Sequence, residues 1–322
     1  METVFVARDA TLERRDNTLL LRMSGQRLRL PIETVRHVVL TGRCKLDSTL
    51  LVLLGQHGVR LSQLDWYGYY KGSFEPIERS PSGSVRLAQA QLVLDKAIRL
   101  ALARSVVEAV AHNMAAIIAY HRRRTNQGLA AVEAALAKAR KAIAAAADIP
   151  ALMGAESQVR QAYWGGWPLI DSRLAFGLRV RRPPNNPINC LMSFLNGLLY
   201  ATMRHEIGRT HLEATFALLH APARNRASLA LDLAEPFRPV IVDREIIALV
   251  RKGMLDEAWF ERHEGVCLLT ERGRRAVSER FGERLERIVD GKTLRARLYA
   301  QALSLEREAL GTGQFNPYRA KS

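Results

Sequence analysis

Four side chains that could carry out metal-assisted chemistry stand in apolar stretches of the sequence, where a merely solvated group is unexpected. Glu156 lies in ALMGAESQVRQAYW, His220 closes the run TFALLH, and Asp232 and Glu235 are three residues apart in SLALDLAEPFRP. On a helix, that spacing puts both carboxylates on one face. Carboxylates with one imidazole suit Mg²⁺ or Mn²⁺, and such an ion can polarise a phosphoryl oxygen in a phosphodiester displacement.

Simpler interpretations exist for each of these residues. His220 could be a satisfied core or loop histidine. Glu156 could pair with Arg160, four residues further on, and Glu235 could pair with Arg238, three residues further on. The spacing alone favours these interpretations, so the metal hypothesis needs further support.

The charge balance of the chain points to a polyanionic partner. The net charge is +16 and the sequence pI is about 10.4. Residues 1–80 contribute a net charge of +3 and the remainder contributes +13. Such an imbalance favours nucleic acid or an anionic membrane surface. We expect the DNA-contacting residues to be six arginines in the later part of the chain: Arg160, Arg181, Arg182, Arg224, Arg226 and Arg238.

Other features narrow the class of protein. Cys44, Cys190 and Cys267 form no CxxC pair, so neither a zinc knuckle nor a disulfide framework is indicated. The first residues, METVFVARDATLERRDN, contain no apolar leader segment, and no apolar run reaches the ~18 residues of a membrane span. We therefore expect a soluble cytoplasmic protein that binds nucleic acid and no membrane.

The elements that must position these residues change in character near residue 80. Residues 1–80 show short β-compatible runs separated by turn signals, which predicts a β-rich domain. Residues 78–84, ERSPSGS, contain one Pro, one Gly and three Ser, which indicates a linker. From there the pattern is helical: a long helix over 85–125, broken once, then a second helix, then a third that begins at Pro150. Pro236 and Pro239 must kink or restart a later helix.

Three stretches of the sequence resemble the family of CRISPR-associated protein one, the adaptation integrase. HAPARNRASLALDLAEPFRPVIVDR is similar to the family signature, in which a His is followed by a basic loop and an acidic helix. MGAESQVRQAYW is similar to the segment that carries the family's Glu, and RRPPNNPINCLMSFLNGLLY to another family segment. Two positions depart from the usual pattern: Asn186, where the family often has Asp, and Ser157, where Gly is common.

The resemblance implies a fold and a site. The fold class would be α+β, with a β-sandwich-like dimerisation domain at 1–80 and a larger, all-α, metal-binding and DNA-binding domain at 81–322. Glu156, His220 and Glu235 would be the catalytic metal ligands for Mg²⁺ or Mn²⁺. Asp232 would orient His220 or a metal-bound water, although it could equally be a favourable charge at a helix start.

An activity and partners also follow from the resemblance. A 3′-hydroxyl of a captured protospacer would attack a phosphodiester at the CRISPR repeat, and water would replace that hydroxyl in nuclease reactions. The partners would be DNA, a second copy of the chain, and the small second CRISPR-associated adaptation protein. The alternative is a non-catalytic regulator, because REIIALVRKGMLDEAWFERHEGVCLLTERGRRAVSERF resembles a DNA-binding winged helix.

Overall fold

The computed structural model describes residues 2–23, 25–76, 82–125, 128–221 and 227–321. The chain forms two compact units. The first unit contains Met1–Pro81, Leu178–His205 and Leu255–Glu286, and the second contains Ser82–Gly177, Glu206–Met254 and Arg287–Ser322. The first unit thus combines the predicted N-terminal module with two later segments. The boundary predicted at 78–84 stays a prediction, since 78–81 lie outside the described residues.

Two four-stranded sheets form the N-terminal part of the first unit, in the orders β1-β5-β7-β8 and β4-β3-β2-β6. One short helix, α1, accompanies them and is capped by Asp47, which accepts a hydrogen bond from the Leu50 amide at 2.8 Å. A common apolar core contains residues from both sheets and from α1, among them Leu12, Leu40 and Leu53. The bounds are β1 Glu2–Val6, β2 Ala10–Arg15, β3 Thr18–Met23, β4 Gln26–Pro31, β5 Val35–Leu40, β6 Cys44–Leu46, α1 Ser48–Gln56, β7 Arg60–Leu64 and β8 Tyr70–Phe74.

Helices dominate the first part of the second unit. The predicted long helix is α2, Gly83–Leu94, followed by α3, Lys96–Thr125. The break at Asp95 has a local cause, because its carboxylate accepts hydrogen bonds from the amides of Ala97 and Ile98, both at 2.9 Å, and so caps α3. Three further helices follow: α4 Leu129–Ala145, α5 Ile149–Gly165 and α6 Trp167–Ile170.

Helix α3 is long and apolar enough, by composition, to cross a membrane. Within the segment Lys96–Arg124, however, 61% of the most apolar window is buried inside the protein. Residues such as Val106, Val110 and Met114 are 0–1% exposed. Burial of this kind identifies α3 as the core helix of the second unit.

Helix α7, Pro187–Ile207, is followed by an irregular segment and then by the proline-interrupted region that the sequence predicts. Here α8, Ser228–Ala234, leads into a 3₁₀ turn at Glu235–Phe237 and a π turn at Pro239–Asp243, and α9 covers Arg244–Arg251. Proline has no backbone N–H to donate to an α-helical hydrogen bond, so the backbone changes its helical period at these two points. Both changes of helical period lie close in the sequence to Asp232 and Glu235.

The expectation of an all-α remainder after residue 80 is wrong in one respect. Two hairpins lie there: β9 Phe260–His263 with β10 Val266–Leu269, and β11 Ile288–Val289 with β12 Lys292–Thr293. They flank α10, Glu271–Leu285, and precede α11, Leu294–Ala309. Their turns place Gly265 at φ +79° and Gly291 at φ +75°, a region open to glycine. The coarser prediction, a mixed α and β protein, is confirmed.

Candidate active site

Helix α5 presents Glu156 and Arg160 on its inward face. The helix begins where Asp148 accepts a hydrogen bond from the Ala151 amide at 2.8 Å, with Pro150 in the first turn. Because Glu156 and Arg160 are four residues apart, their side chains lie side by side. Arg160 donates to Glu156 Oε1 from Nη2 at 2.5 Å and from Nε at 3.1 Å. The ion pair that the sequence allowed as a simpler interpretation of Glu156 is therefore formed.

Glu235 meets the same guanidinium from the other end of the sequence. Arg160 Nη2 lies 2.5 Å from Glu235 Oε2, although the two residues are 75 positions apart. Arg238 Nη1 also donates to Glu235, at 3.1 and 3.3 Å. One nitrogen of Arg160 is thus shared between the Glu156 and Glu235 carboxylates. Because each of the two oxygens lies 2.5 Å from this nitrogen, they can be no further apart than twice that distance. We call Glu156, Arg160, Glu235 and Arg238 the carboxylate cluster.

Asp232 holds the segment that carries His220. Its fully buried carboxylate accepts hydrogen bonds from the backbone amides of Leu218 at 2.6 Å, Leu219 at 2.9 Å and His220 at 3.2 Å. The same carboxylate lies 2.5 Å from His220 Nδ1. With Nδ1 engaged, Nε2 is the ring nitrogen that can face a ligand. Asp232 thus fixes both the ring and the backbone of His220, and its role beside a metal ion stays a prediction.

The charges of the carboxylate cluster affect the pKa of His220. Burial lowers the pKa of His220, but the hydrogen bond and charge of Asp232, together with the charges of Glu235 and Glu156, raise this pKa above its ordinary value. His220 is therefore close enough to both glutamates for their charges to raise its pKa. Among the described residues, however, no group of three His, Cys, Asp or Glu side chains is arranged to hold a metal ion. The Arg160 guanidinium lies between the two glutamates and donates to both of them.

Arg160 and Arg238 keep Glu235 charged although it is buried. Burial raises the pKa of Glu235, and the two guanidiniums more than reverse this effect, so that its pKa falls to about 2. The same contacts hold the pKa of Arg160 above its ordinary value, despite desolvation. Ion pairs of this kind persist in a protein interior only when each charge has a partner.

Asp243 is a buried acidic residue beside the cluster that the sequence reasoning did not select. Burial raises its pKa to about 6, while the charges of Arg238 and Arg160 and the Tyr163 hydroxyl oppose this rise. Tyr163 is itself fully buried, with its ring 5.8 Å from that of Trp167. A lone aspartate in the apolar run PFRPVIVDR was the available signal.

The predicted DNA-binding arginines fall into three groups. Arg160 and Arg238 are buried and engaged with carboxylates, at 9% and 5% exposure. Arg181 and Arg182 are exposed, on the predicted loop before α7, and Arg182 stacks 4.5 Å from the Tyr69 ring centroid. Arg224 and Arg226 lie outside the described residues. DNA contact stays a prediction for all six.

Comparison with known proteins identifies the class of this chain. The family model described as "CRISPR associated protein Cas1" matches residues 4–283. "CRISPR-associated endonuclease Cas1 2" of Moorella thermoacetica is 35% identical over 325 residues, covering 99% of each chain. Among solved structures, a CAS1 protein from Thermotoga maritima superposes with a TM-score of 0.87, at 28% identity, over 99% of this chain and 100% of that one.

Two more distant structures share the fold alone. A casposase bound to its integration product has a TM-score of 0.86 at 22% identity, over 100% of this chain and 96% of that one. A chain of a Cas6-RT-Cas1–Cas2 complex has a TM-score of 0.83 at 21% identity, over 99% of this chain and 36% of that one.

The fold and the matching relatives define a CRISPR-associated endonuclease. More specifically, the chain belongs to the Cas1 family. The family and the enzymatic class predicted from the sequence are confirmed, and the alternative of a non-catalytic regulator is not favoured.

Proposed function

We propose that this endonuclease inserts spacer DNA into a CRISPR array, using one divalent cation held by Glu156, His220 and Glu235. The observation that carries the proposal is the convergence of two buried carboxylates from distant parts of the chain on a single cation, the Arg160 guanidinium. An imidazole oriented by Asp232 lies within electrostatic range of both carboxylates.

The donor set fits a hard divalent cation. Arg160 Nη2 acts as a stand-in, because it lies at hydrogen-bonding distance from one oxygen of each glutamate. Two carboxylates and one imidazole nitrogen suit Mg²⁺ or Mn²⁺, and the nitrogen tilts the preference towards Mn²⁺. When bound, such an ion supplies Lewis-acid stabilisation of the charge that develops on a phosphoryl oxygen.

The roles of the protein residues follow from their contacts. Asp232 fixes the His220 ring through Nδ1 and anchors its backbone, so that Nε2 keeps one direction. Arg238 holds the Glu235 carboxylate in its ionised form. In the reaction, the 3′-hydroxyl oxygen of the captured DNA forms a bond to phosphorus, and the bond from phosphorus to the 3′ oxygen of the neighbouring nucleotide breaks. With water as the nucleophile, the same displacement is hydrolysis.

DNA binding is assigned to the exposed arginines. Arg181 and Arg182 lie on a loop with no carboxylate partner described for either guanidinium, and such residues contact phosphates without reading base sequence. The net charge of +16 supports a polyanionic substrate. The partners would be a second copy of this chain and a small second adaptation protein. A structural relative is solved in a complex with Cas2, which supports the second of these. The reaction would take place in the cytoplasm.

The test is the substitution Glu235→Gln, which removes one carboxylate from the proposed metal site and keeps its size. We expect integration of a short duplex into a repeat-bearing plasmid, and cleavage of branched DNA, to fall by about a hundredfold or more. DNA affinity should remain close to that of the wild type. Glu283→Gln, an exposed glutamate on α10, is the matched control. Full activity of Glu235→Gln would remove this residue from the site.

A further inference from the structure

Arg160 occupies the space between the two glutamates that we propose as metal ligands. Its Nη2 is 2.5 Å from Glu156 Oε1 and 2.5 Å from Glu235 Oε2. The side chains of Arg160 and Glu156 are each 11% exposed and that of Glu235 is 6% exposed. A single buried nitrogen therefore fills the position from which one cation could contact both carboxylates.

Within the carboxylate cluster, two carboxylates face two guanidiniums without a metal ion, and Asp243 adds an acidic group beside them. Glu156 faces Arg160, and Glu235 faces both Arg160 and Arg238. If a divalent ion entered while Arg160 stayed in place, the two carboxylates would face two guanidiniums and the ion together. Positive charges at such short range repel one another strongly in a poorly solvated site. A metal ion can therefore contact Glu156 Oε1 and Glu235 Oε2 from this position only when the Arg160 guanidinium moves away.

Arg160 does not use all of its donors in this position. Its hydrogen bonds run from Nη2 and Nε, whereas the buried Nη1 atom has no hydrogen-bond partner. Arg160 also follows Glu156 by four residues on α5, so the two positions belong to one rigid helix. Rotation about the torsions of the long arginine side chain would vacate the space without displacing the backbone.

We propose that Arg160 is an exchangeable counter-ion, which holds Glu156 and Glu235 in place in the metal-free protein and is displaced when a divalent cation binds. This inference rests on the proposed function, because it takes the two glutamates as metal ligands. Arg160 is then a positioning residue that competes with the metal, so its presence lowers the affinity of the protein for the cation.

The test measures binding of Mn²⁺ alone to the full chain, by calorimetry and by the electron paramagnetic resonance signal of free Mn²⁺. Arg160→Gln and Arg238→Gln each remove one positive charge that contacts Glu235, but only Arg160 lies between the two glutamates. Because a repelling positive charge is removed, we expect Arg160→Gln to bind Mn²⁺ about tenfold more tightly than the wild type. Arg238→Gln should tighten binding by a smaller factor.

The direction of the change in Mn²⁺ affinity, and its size relative to that of Arg238→Gln, show whether Arg160 exchanges with the metal ion. Exchange is excluded if Arg160→Gln binds Mn²⁺ no more tightly than the wild type, or if Arg238→Gln tightens binding as much. In either case a wild-type protein that binds Mn²⁺ leaves the proposed function intact. If the wild type and both variants fail to bind Mn²⁺, the metal site itself is wrong and both proposals fall.

A second variant, Arg160→Ala, tests exchange by competition with a free guanidinium ion. Arg160→Ala removes the guanidinium and leaves a space for a free guanidinium ion. We expect millimolar guanidinium chloride to weaken Mn²⁺ binding to Arg160→Ala competitively and to leave binding to the wild type unchanged. Equal effects on the two proteins would overturn the proposal.

Discussion

Two clusters of arginines in the second unit differ in the groups that they face. In the carboxylate cluster, the guanidiniums of Arg160 and Arg238 contact glutamates. In what we call the arginine–tyrosine cluster, which comprises Tyr120, His121, Arg124, Arg244 and Arg251, they face aromatic and imidazole rings. Arg124 and Arg244 lie 4.1 and 5.4 Å from the Tyr120 ring centroid, and Arg251 Nη1 lies 3.2 Å from His121 Nδ1.

Arginine side chains leave their titratable neighbours in opposite charge states in the two clusters. Beside Glu235, arginines lower the pKa of a buried carboxyl to about 2 and keep it charged. Beside His121, burial and, to a smaller extent, the charges of Arg251, Arg244 and Arg124 together lower the pKa of the imidazole to about 4, which keeps the ring neutral. A neighbouring arginine thus favours the charged form of a carboxyl group and the neutral form of an imidazole. Of the two neighbours, only the carboxylate carries a charge that pairs with the arginine.

The largest loss of stability should come from removing Asp232, the buried anion that holds the His220 segment. Asp232→Ala leaves the buried amides of Leu218 and Leu219 without their acceptor. We expect the free energy of unfolding to fall by about 3–5 kcal/mol, measured by denaturant titration with tryptophan fluorescence. Asp232→Asn, which retains one acceptor oxygen, should lose about half as much. Loss of less than about 1 kcal/mol in Asp232→Ala would show that these bonds do not hold the His220 segment.

A smaller effect should appear at His121 as the pH falls. Its pKa is about 4 in the folded chain and near 6.5 when unfolded, so the unfolded chain binds more protons between these values. Stability is therefore complete above about pH 6.5 and is lost as the pH falls towards 4, by about 2 kcal/mol.

His121→Phe is the variant that isolates this contribution, because it keeps a ring of similar size and does not titrate. We expect the wild type and His121→Phe to differ in the pH dependence of their unfolding free energies only below about pH 6.5. Parallel curves across this range would mean that His121 is not held neutral by its arginine neighbours.

The smallest effects should come from arginines that are exposed. Arg181→Ala and Arg182→Ala should each change stability by no more than about 0.5 kcal/mol. Each should weaken DNA binding a few-fold and reduce its salt dependence by about one released ion. Arg29→Ala, an exposed arginine paired with Asp16 at 2.6 Å, is the control and should leave DNA affinity unchanged. An unaltered salt dependence in both loop variants would remove the loop from the DNA-binding surface.

Several elements could be predicted from local signals because their causes lie within a few residues. Pro150 marks the first turn of α5, and Pro236 and Pro239 change the helical period after α8. The break in the long helix follows from the capping carboxylate of Asp95. Strands β2, β6 and β8 carry only a weak local signal, because their outward side chains are polar or they are very short. Hairpin β9–β10 lies within the stretch whose sequence resembles a winged helix.

Sequence alone determined the family of this protein, its mixed α and β character, its endonuclease class and the residue types of its candidate site. It even contained both pairings, Glu156 with Arg160 and Glu235 with Arg238, as neighbours on one helical turn. Only the tertiary structure decided that Arg160 also reaches Glu235, since a contact across 75 positions depends on how separate helices pack. Helical spacing acts over one turn, whereas the pairing of buried charges is set by whichever segments the core brings together.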